Sequence, residues 1–249
     1  MSGRFYIPPI DWEASALSLN DEEAKHCTQV MRHREGDEII VFNGVGDVAR
    51  ARITSVKKHT PALECMAIEH IKQPAVRITL APALIKADRW EWLLEKATEL
   101  GAAEIQPLIT ERCVVKLSAD DATRKHDKWQ RLVIEASKQS RRAWVPVLHP
   151  ARRLEDWCGT DGSNRTPETD LSLVAALGGS ALPIKLAVNQ AHAPKTARLI
   201  IGPEGDFTPV ELQHVISKGF TPINLGPLTL RAETASIAAL AILTDLMSH

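Results

Sequence analysis

Leu199-Ile-Ile-Gly-Pro-Glu-Gly-Asp-Phe-Thr-Pro-Val-Glu211 is the stretch whose reading decides the fold. An apolar run stops at Gly202, passes through Pro203-Glu204-Gly205 and gives way to a helix. The helix start is marked by Thr208 at the N-cap, Pro209 at the first helical position and Glu211 two residues later, a capping box. Strand, glycine turn and helix in this order predict an α/β unit. Glycines at the C-terminal end of a strand let the backbone approach a ligand, and open α/β sheets bind ligands there. A plain tight turn uses Gly-Pro-Glu-Gly equally well, so both readings stand on these residues alone.

A second segment has the same plan. Ile223-Asn-Leu-Gly-Pro-Leu-Thr-Leu-Arg-Ala-Glu-Thr-Ala235 reads as a short strand ending at Gly226, a loop, and a helix that begins near Glu233 and runs to Met247. Arg231 and Glu233 flank that helix start among apolar neighbours. They read either as a helix-start salt bridge or as chemistry. Two such loops could line one pocket. Neither is a GxGxxG fingerprint or a GxxxxGK[ST] phosphate loop, so nicotinamide, flavin and nucleoside triphosphate readings lose support.

Working outward, Val76–Ala81, Ile105–Ile109, Leu171–Leu177 and Arg198–Ile201 are strand candidates, and Asp88–Leu100 and Thr123–Arg142 are helices. Asp88 with Glu91 suits the first helix's cap and Gly101 its end. This alternation predicts an α/β domain with a mainly parallel sheet over 74–249. Before it, 1–73 reads as a small β-barrel. Asn43-Gly-Val-Gly46 joins Asp37–Phe42 to Val48–Ile53 as a hairpin, Leu63–Ile71 alternates weakly, and Asn20–Met31 is helical with acidic residues in its first turn.

Charge is nearly balanced over the 249 residues, 30 basic against 31 acidic, yet Arg112–Arg153 holds 11 basic and 4 acidic, a net of +7. On the second helix Arg124, Lys128, Arg131, Lys138 and Arg142 recur at helical spacing. They make either a stripe for a polyanion or a solvated face. Cys27, Cys65, Cys113 and Cys158 have neither metal-ligand spacing nor a disulfide framework, so no metal is expected. The N-terminus lacks a signal-peptide pattern, and no run approaches the roughly 20 apolar residues of a membrane span. A soluble cytoplasmic protein is expected.

Gly202-Pro-Glu-Gly205, Leu225-Gly226 and Leu230-Arg231-Ala-Glu-Thr234 together resemble the cofactor motifs of SPOUT methyltransferases. More narrowly the chain resembles the ribosomal RNA small-subunit methyltransferase E family. Arg4-Phe-Tyr, His26, Val30-Met-Arg32 and Gly36-Asp37 match that family's PUA-like barrel. Lys86, Glu95 to Gly101, Glu111-Arg112, Lys116, Glu135-Ala, Gln139-Ser140 and Arg142 match its catalytic domain. The sequence departs from the family at three places. Asp206 replaces the usual second glycine of the first turn, Leu228 a common basic residue, and Trp144 an arginine.

The resemblance implies an S-adenosylmethionine-dependent enzyme that methylates N3 of one uridine in 16S rRNA, within or before assembly of the small subunit. It also implies a trefoil knot around 199–235 and a homodimer. Cofactor contacts are expected at Leu177, Gly202, Pro203, Glu204, Gly205, Leu225, Gly226, Leu228, Leu230, Arg231 and Thr234. Catalytic roles are expected at Arg231, Glu204 and Glu233, and RNA contacts at Arg4, His26, Arg32, Lys86, Arg112, Lys116 and Arg142. The alternatives are a knotted methyltransferase for another position, such as a ribose 2′-hydroxyl, or a non-catalytic RNA-binding protein.

Overall fold

The structure, a computed structural model, describes residues 3–115, 118–159, 170–176 and 181–248. Two units separate: Met1–Gln73 with Ile134–Val145, and Pro74–Val133 with Pro146–His249.

In the first unit, β1 (Arg4–Tyr6), β2 (Glu38–Phe42), β3 (Asp47–Lys57) and β4 (Thr60–His70) form one sheet in that order. β1 is parallel to β2 and the other pairs are antiparallel. Alternation decides the faces. Ala49, Ala51 and Ile53 are buried with Ile39, Val41 and Phe5, while Arg50, Arg52 and Thr54 face outward. Irregular register at Arg50/Ala51 and Ile53/Ser55 bends the long β3–β4 ribbon. The hairpin turn needs its glycines. Gly44 and Gly46 have φ of 75° and 109°, and a Cβ on Gly46 would lie 2.8 Å from the Trp144 ring. α1 (Asp21–Lys25) is capped by Asn20, whose side chain accepts the Glu23 N–H, and continues as a π-helical turn over His26–Val30.

Ile134–Val145 joins this unit through backbone bonds. Val145 N donates to Gly44 O at 2.9 Å and Gly46 N to Ala143 O at 3.1 Å. Trp144 packs edge-on to His70 and donates Nε1–H to Ile71 O, so it serves as a strut. Lys138 is buried, and its Nζ donates to both Glu23 oxygens at 2.8 and 3.1 Å and to Glu135 at 2.8 Å.

The second unit carries a seven-stranded sheet. Its strands in chain order are β5 (Arg77–Pro82), β6 (Glu104–Ile105), β8 (Val147–Leu148), β10 (Leu171–Ala175), β11 (Leu182–Pro183), β12 (Thr196–Ile201) and β13 (Thr221–Asn224). The order across the sheet is β11-β13-β10-β12-β5-β6-β8, and every pairing is parallel. β7 (Leu108–Ile109) and β9 (Arg152–Arg153) pair separately. The helices are α2 (Ala87–Glu99), α3 (Ala119–Gln139, in this unit as far as Val133), α4 (Leu154–Gly159), α5 (Ile184–Gln190), α6 (Pro209–Ser217) and α7 (Ala232–Ser248). Parallel strands covered by helices are apolar throughout, which is why Ala197 and Leu199–Ile201 are all buried. Leu154 and Val215, on α4 and α6, share a core with Val174, Ile200 and Phe207. α7 packs on β5, β12, α2 and α5.

Three sequence expectations are corrected. Ile105–Ile109 is two strands, because Pro107 cannot donate to a ladder and the chain changes sheets there. α2 starts at Ala87 without a side-chain cap, so Asp88 lies inside its first turn. The basic stripe on α3 is largely neutralised: Lys128 pairs with Glu91, Arg124 pairs with Asp121 at 2.7 Å, and Lys138 is buried.

Candidate active site

The capping box is present as the sequence requires. Thr208 Oγ1 accepts the Glu211 N–H at 3.2 Å and Glu211 Oε2 accepts the Thr208 N–H at 2.9 Å. Glu211 Oε1 also accepts the Glu111 N–H at 2.7 Å, which fixes the Glu111-Arg112 turn against α6. From there the Arg112 guanidinium donates to Gly205 O at 2.8 Å and Phe207 O at 3.4 Å. The turn after β12 is thus held from outside by a cation on its carbonyls. Inside it, Asp206 N donates to Pro203 O at 2.9 Å. Asp206 has a φ of 58°, and its Oδ1 accepts the Phe207 N–H at 2.8 Å. A left-handed position suits glycine. Aspartate is among the few other residues that adopt it readily, because its short side chain bonds the local backbone.

The second turn follows β13. Gly226, at φ +115°, reverses the chain, and its N–H reaches Asn224 Oδ1 at 3.4 Å. β12 and β13 flank β10, so their C-terminal ends, and both turns, lie at one end of the sheet. Together they enclose a cavity of about 260 Å³. Gly202, Pro203, Glu204 and Asp206 line it from the first turn, and Leu225, Gly226, Leu228, Leu230 and Arg231 from the second. Ala175, Ile201, Ile223 and Ala235 supply apolar walls. A Cβ on Gly202 would meet the Phe207 ring at 3.0 Å, so any side chain there has to push that ring aside.

Of the expected cofactor residues, Gly205 and Thr234 are outside the cavity lining. Gly205 serves as the carbonyl held by Arg112. Leu177, like Lys116, lies outside the described residues.

Behind the cavity stands a residue that sequence reading missed. The Arg89 guanidinium, on α2, lies 3.7 Å from Glu204 Oε1 and 3.7 Å from Glu233 Oε1, linking the first turn to the start of α7. Glu233 is 8% exposed, and its Oε2 is buried without a hydrogen-bond partner. A buried carboxylate oxygen left without a partner is costly, which makes Glu233 a candidate for a functional role. The one sequence signal for Arg89 was a cation in a helix's first turn, where the dipole disfavours it.

The expected RNA-binding residues fall in both units. In the first unit, Arg4 and His26 border a hollow of about 770 Å³ with Lys138 and Arg141. Arg4 is only half available, because it stacks 4.5 Å over Phe42 and donates to Arg142 O at 2.8 Å. Burial pulls the Arg142 guanidinium down to about 10, and its Nε donates to Trp144 O. Arg32 is exposed with a φ of 58° and lies outside the hollow's lining. In the second unit, Lys86 is exposed at the start of α2, and Arg112 is committed to the first turn.

Comparison with known proteins agrees with this geometry. A family model described as RNA methyltransferase domain matches residues 72–244, and one described as RNA methyltransferase PUA domain matches 19–64. A protein of Synechocystis named ribosomal RNA small subunit methyltransferase E is 32% identical over 99% of this chain and 78% of its own length. One of the same name from Bacillus subtilis is 31% identical, covering 93% and 91%. Among solved structures, a Legionella pneumophila protein in complex with the bound cofactor SAM superposes with a TM-score of 0.85 at 31% identity over 98% of both chains. A Neisseria gonorrhoeae ribosomal RNA small subunit methyltransferase E bound to S-adenosyl methionine gives 0.85 at 29% identity, covering 99% and 98%. With a PUA domain followed by an RNA methyltransferase domain and relatives similar over nearly its whole length, the chain belongs to the ribosomal RNA small subunit methyltransferase E family.

Proposed function

We propose that this protein transfers a methyl group from S-adenosylmethionine to N3 of a uridine in 16S rRNA, acting as a cytoplasmic homodimer on the small ribosomal subunit or its RNA. The observation that carries the reading is the meeting of the two glycine turns around one cavity at the end of the parallel sheet. Its donor set suits the cofactor. Apolar walls at Ala175, Ile201 and Ile223 suit an adenine ring, and Gly202, Leu225, Gly226 and Leu230 on the same lining offer backbone groups for its polar edge. The knot implied by the resemblance belongs to the same proposal. It is supported by a chain that lays β13 on the far side of β10 from β12 and then returns as α7 onto β12 and β5.

The cofactor supplies a methyl group already activated by its sulfonium, so no metal is called for. The chain's task is to hold donor and acceptor in line and to manage the N3 proton and the charge that develops on the uracil oxygens. Arg231, exposed at the cavity, takes the electrostatic role. Glu204, also on the cavity lining, accepts or directs the proton. Glu233 orients from behind through Arg89. N3 lies on the pairing edge, so the target base must be unpaired or flipped out, at a cost of about a few kcal/mol. For RNA, the exposed Arg32 and Lys86 and the hollow bordered by Arg4 and His26 remain the proposed contacts, with Arg112 and Arg142 acting through the turns they brace.

Gly202→Val tests the cavity. The variant is expected to lose S-adenosylmethionine binding in calorimetry while keeping its circular dichroism spectrum, and normal affinity in a folded variant would overturn the assignment. Mass mapping of 16S rRNA from a deletion strain, with and without the restored gene, tests the target. Loss of an N3-methylated uridine is expected, and loss of a ribose methyl would replace this reading.

A further inference from the structure

Two carboxylates and one guanidinium, those of Glu204, Asp206 and Arg231, line the cavity, so its ionisable lining carries one net negative charge. Glu204 has Arg89 at 3.7 Å. Asp206 has no cation within 4.0 Å among the described residues. The nearby Arg112 is directed at the carbonyls of Gly205 and Phe207. Asp206 holds a left-handed backbone at φ 58°. A carboxylate on the cavity wall with no cation beside it acts on the charge of whatever the cavity holds.

We infer that Asp206 is a specificity residue that makes the cavity prefer the cationic methyl donor to its demethylated product. The inference rests on the function proposed above. In the transfer, the methyl carbon leaves sulfur and bonds to N3, sulfur keeps the bonding pair, and the N3 proton passes to a base. The donor's sulfonium thereby becomes a neutral thioether. S-Adenosylmethionine and S-adenosylhomocysteine therefore differ by one methyl group and one positive charge, and an uncompensated carboxylate acts on that charge difference. Coulomb attraction across a partly solvated cavity is expected to favour the donor by about threefold to tenfold. The result is easier product release after each turnover.

Asp206→Asn is the decisive variant. Asparagine has the same shape, tolerates the left-handed backbone and keeps an oxygen for the Phe207 N–H, while the charge is gone. Asp206→Gly removes the side chain and relaxes the backbone. Calorimetric Kd values for both ligands are measured on the wild type and both variants at low and moderate salt. Both variants are expected to weaken S-adenosylmethionine by about threefold to tenfold and to leave S-adenosylhomocysteine within about twofold, with the wild-type preference shrinking as salt rises. Unchanged ratios in variants that bind both ligands would overturn this inference alone. A wild type that binds neither ligand would overturn the proposed function with it.

Discussion

Lys138 in the first unit and Arg89 in the second each face two carboxylates, and they are built to different standards. Lys138 donates three hydrogen bonds of 2.8–3.1 Å to Glu23 and Glu135 and lies 5.9 Å from the centre of the Phe5 ring. Burial works against its charge, but the hydrogen bonds it donates to Glu135 and Glu23 outweigh that, and the ammonium is held above its ordinary value. Arg89 stands 3.7 Å from each of its carboxylates, and the buried Glu233 Oε2 has no partner. A saturated buried network fixes one conformation; an unsaturated one keeps bonding capacity for something else. The first cluster is saturated and the second is not.

Breaking the saturated cluster carries the largest expected cost. Lys138→Met leaves Glu23 buried and uncompensated and should destabilise the protein by about 3–5 kcal/mol in urea denaturation. A loss below about 1 kcal/mol would put the two clusters on a par. The reverse holds at the unsaturated cluster. Glu233→Gln should lower the methyl-transfer rate by about tenfold to a hundredfold, which is about 1.4–2.7 kcal/mol, while stability stays within about 1 kcal/mol. A large loss of stability with normal turnover would make Glu233 a structural residue.

The smallest effect sharpens the scale between these two. Glu104 accepts from His149 at 2.8 Å and from Arg77 at 3.1 Å. The His149 hydrogen bond, with help from Arg77, holds its carboxyl below the usual range. A carboxylate depressed on folding contributes stability above its unfolded pKa and loses it as pH falls through the folded one. Wild-type stability should therefore drop as pH falls below the ordinary carboxylate value. Glu104→Gln should flatten that limb by less than about 1 kcal/mol, and an unchanged acid limb would remove Glu104 from the account.

Much of the site was legible because it is local. Thr208-Pro-Val-Glu211 fixes a helix start within four residues, and Gly202 and Gly226 mark the strand ends where a turn begins. The parallel sheet followed from apolar runs alternating with amphipathic ones. Arg89 was not legible, since its partners Glu204 and Glu233 are brought to it by the sheet order and not by spacing along the chain. Nor was the fate of the basic helix. Spacing showed that Lys128 and Lys138 were helical neighbours of other cations, but not that Glu91 and Glu23 would answer them.

The sequence by itself determined the element types, the caps, the glycine turns and the family pattern, because propensity, capping and alternation act over a few residues. Only the tertiary structure decided which charges are spent on each other, which carboxylate is left half-satisfied, and that Asp206 looks into the cavity. Those outcomes depend on distances between residues far apart in the chain, which are set when the strands take their order in the sheet.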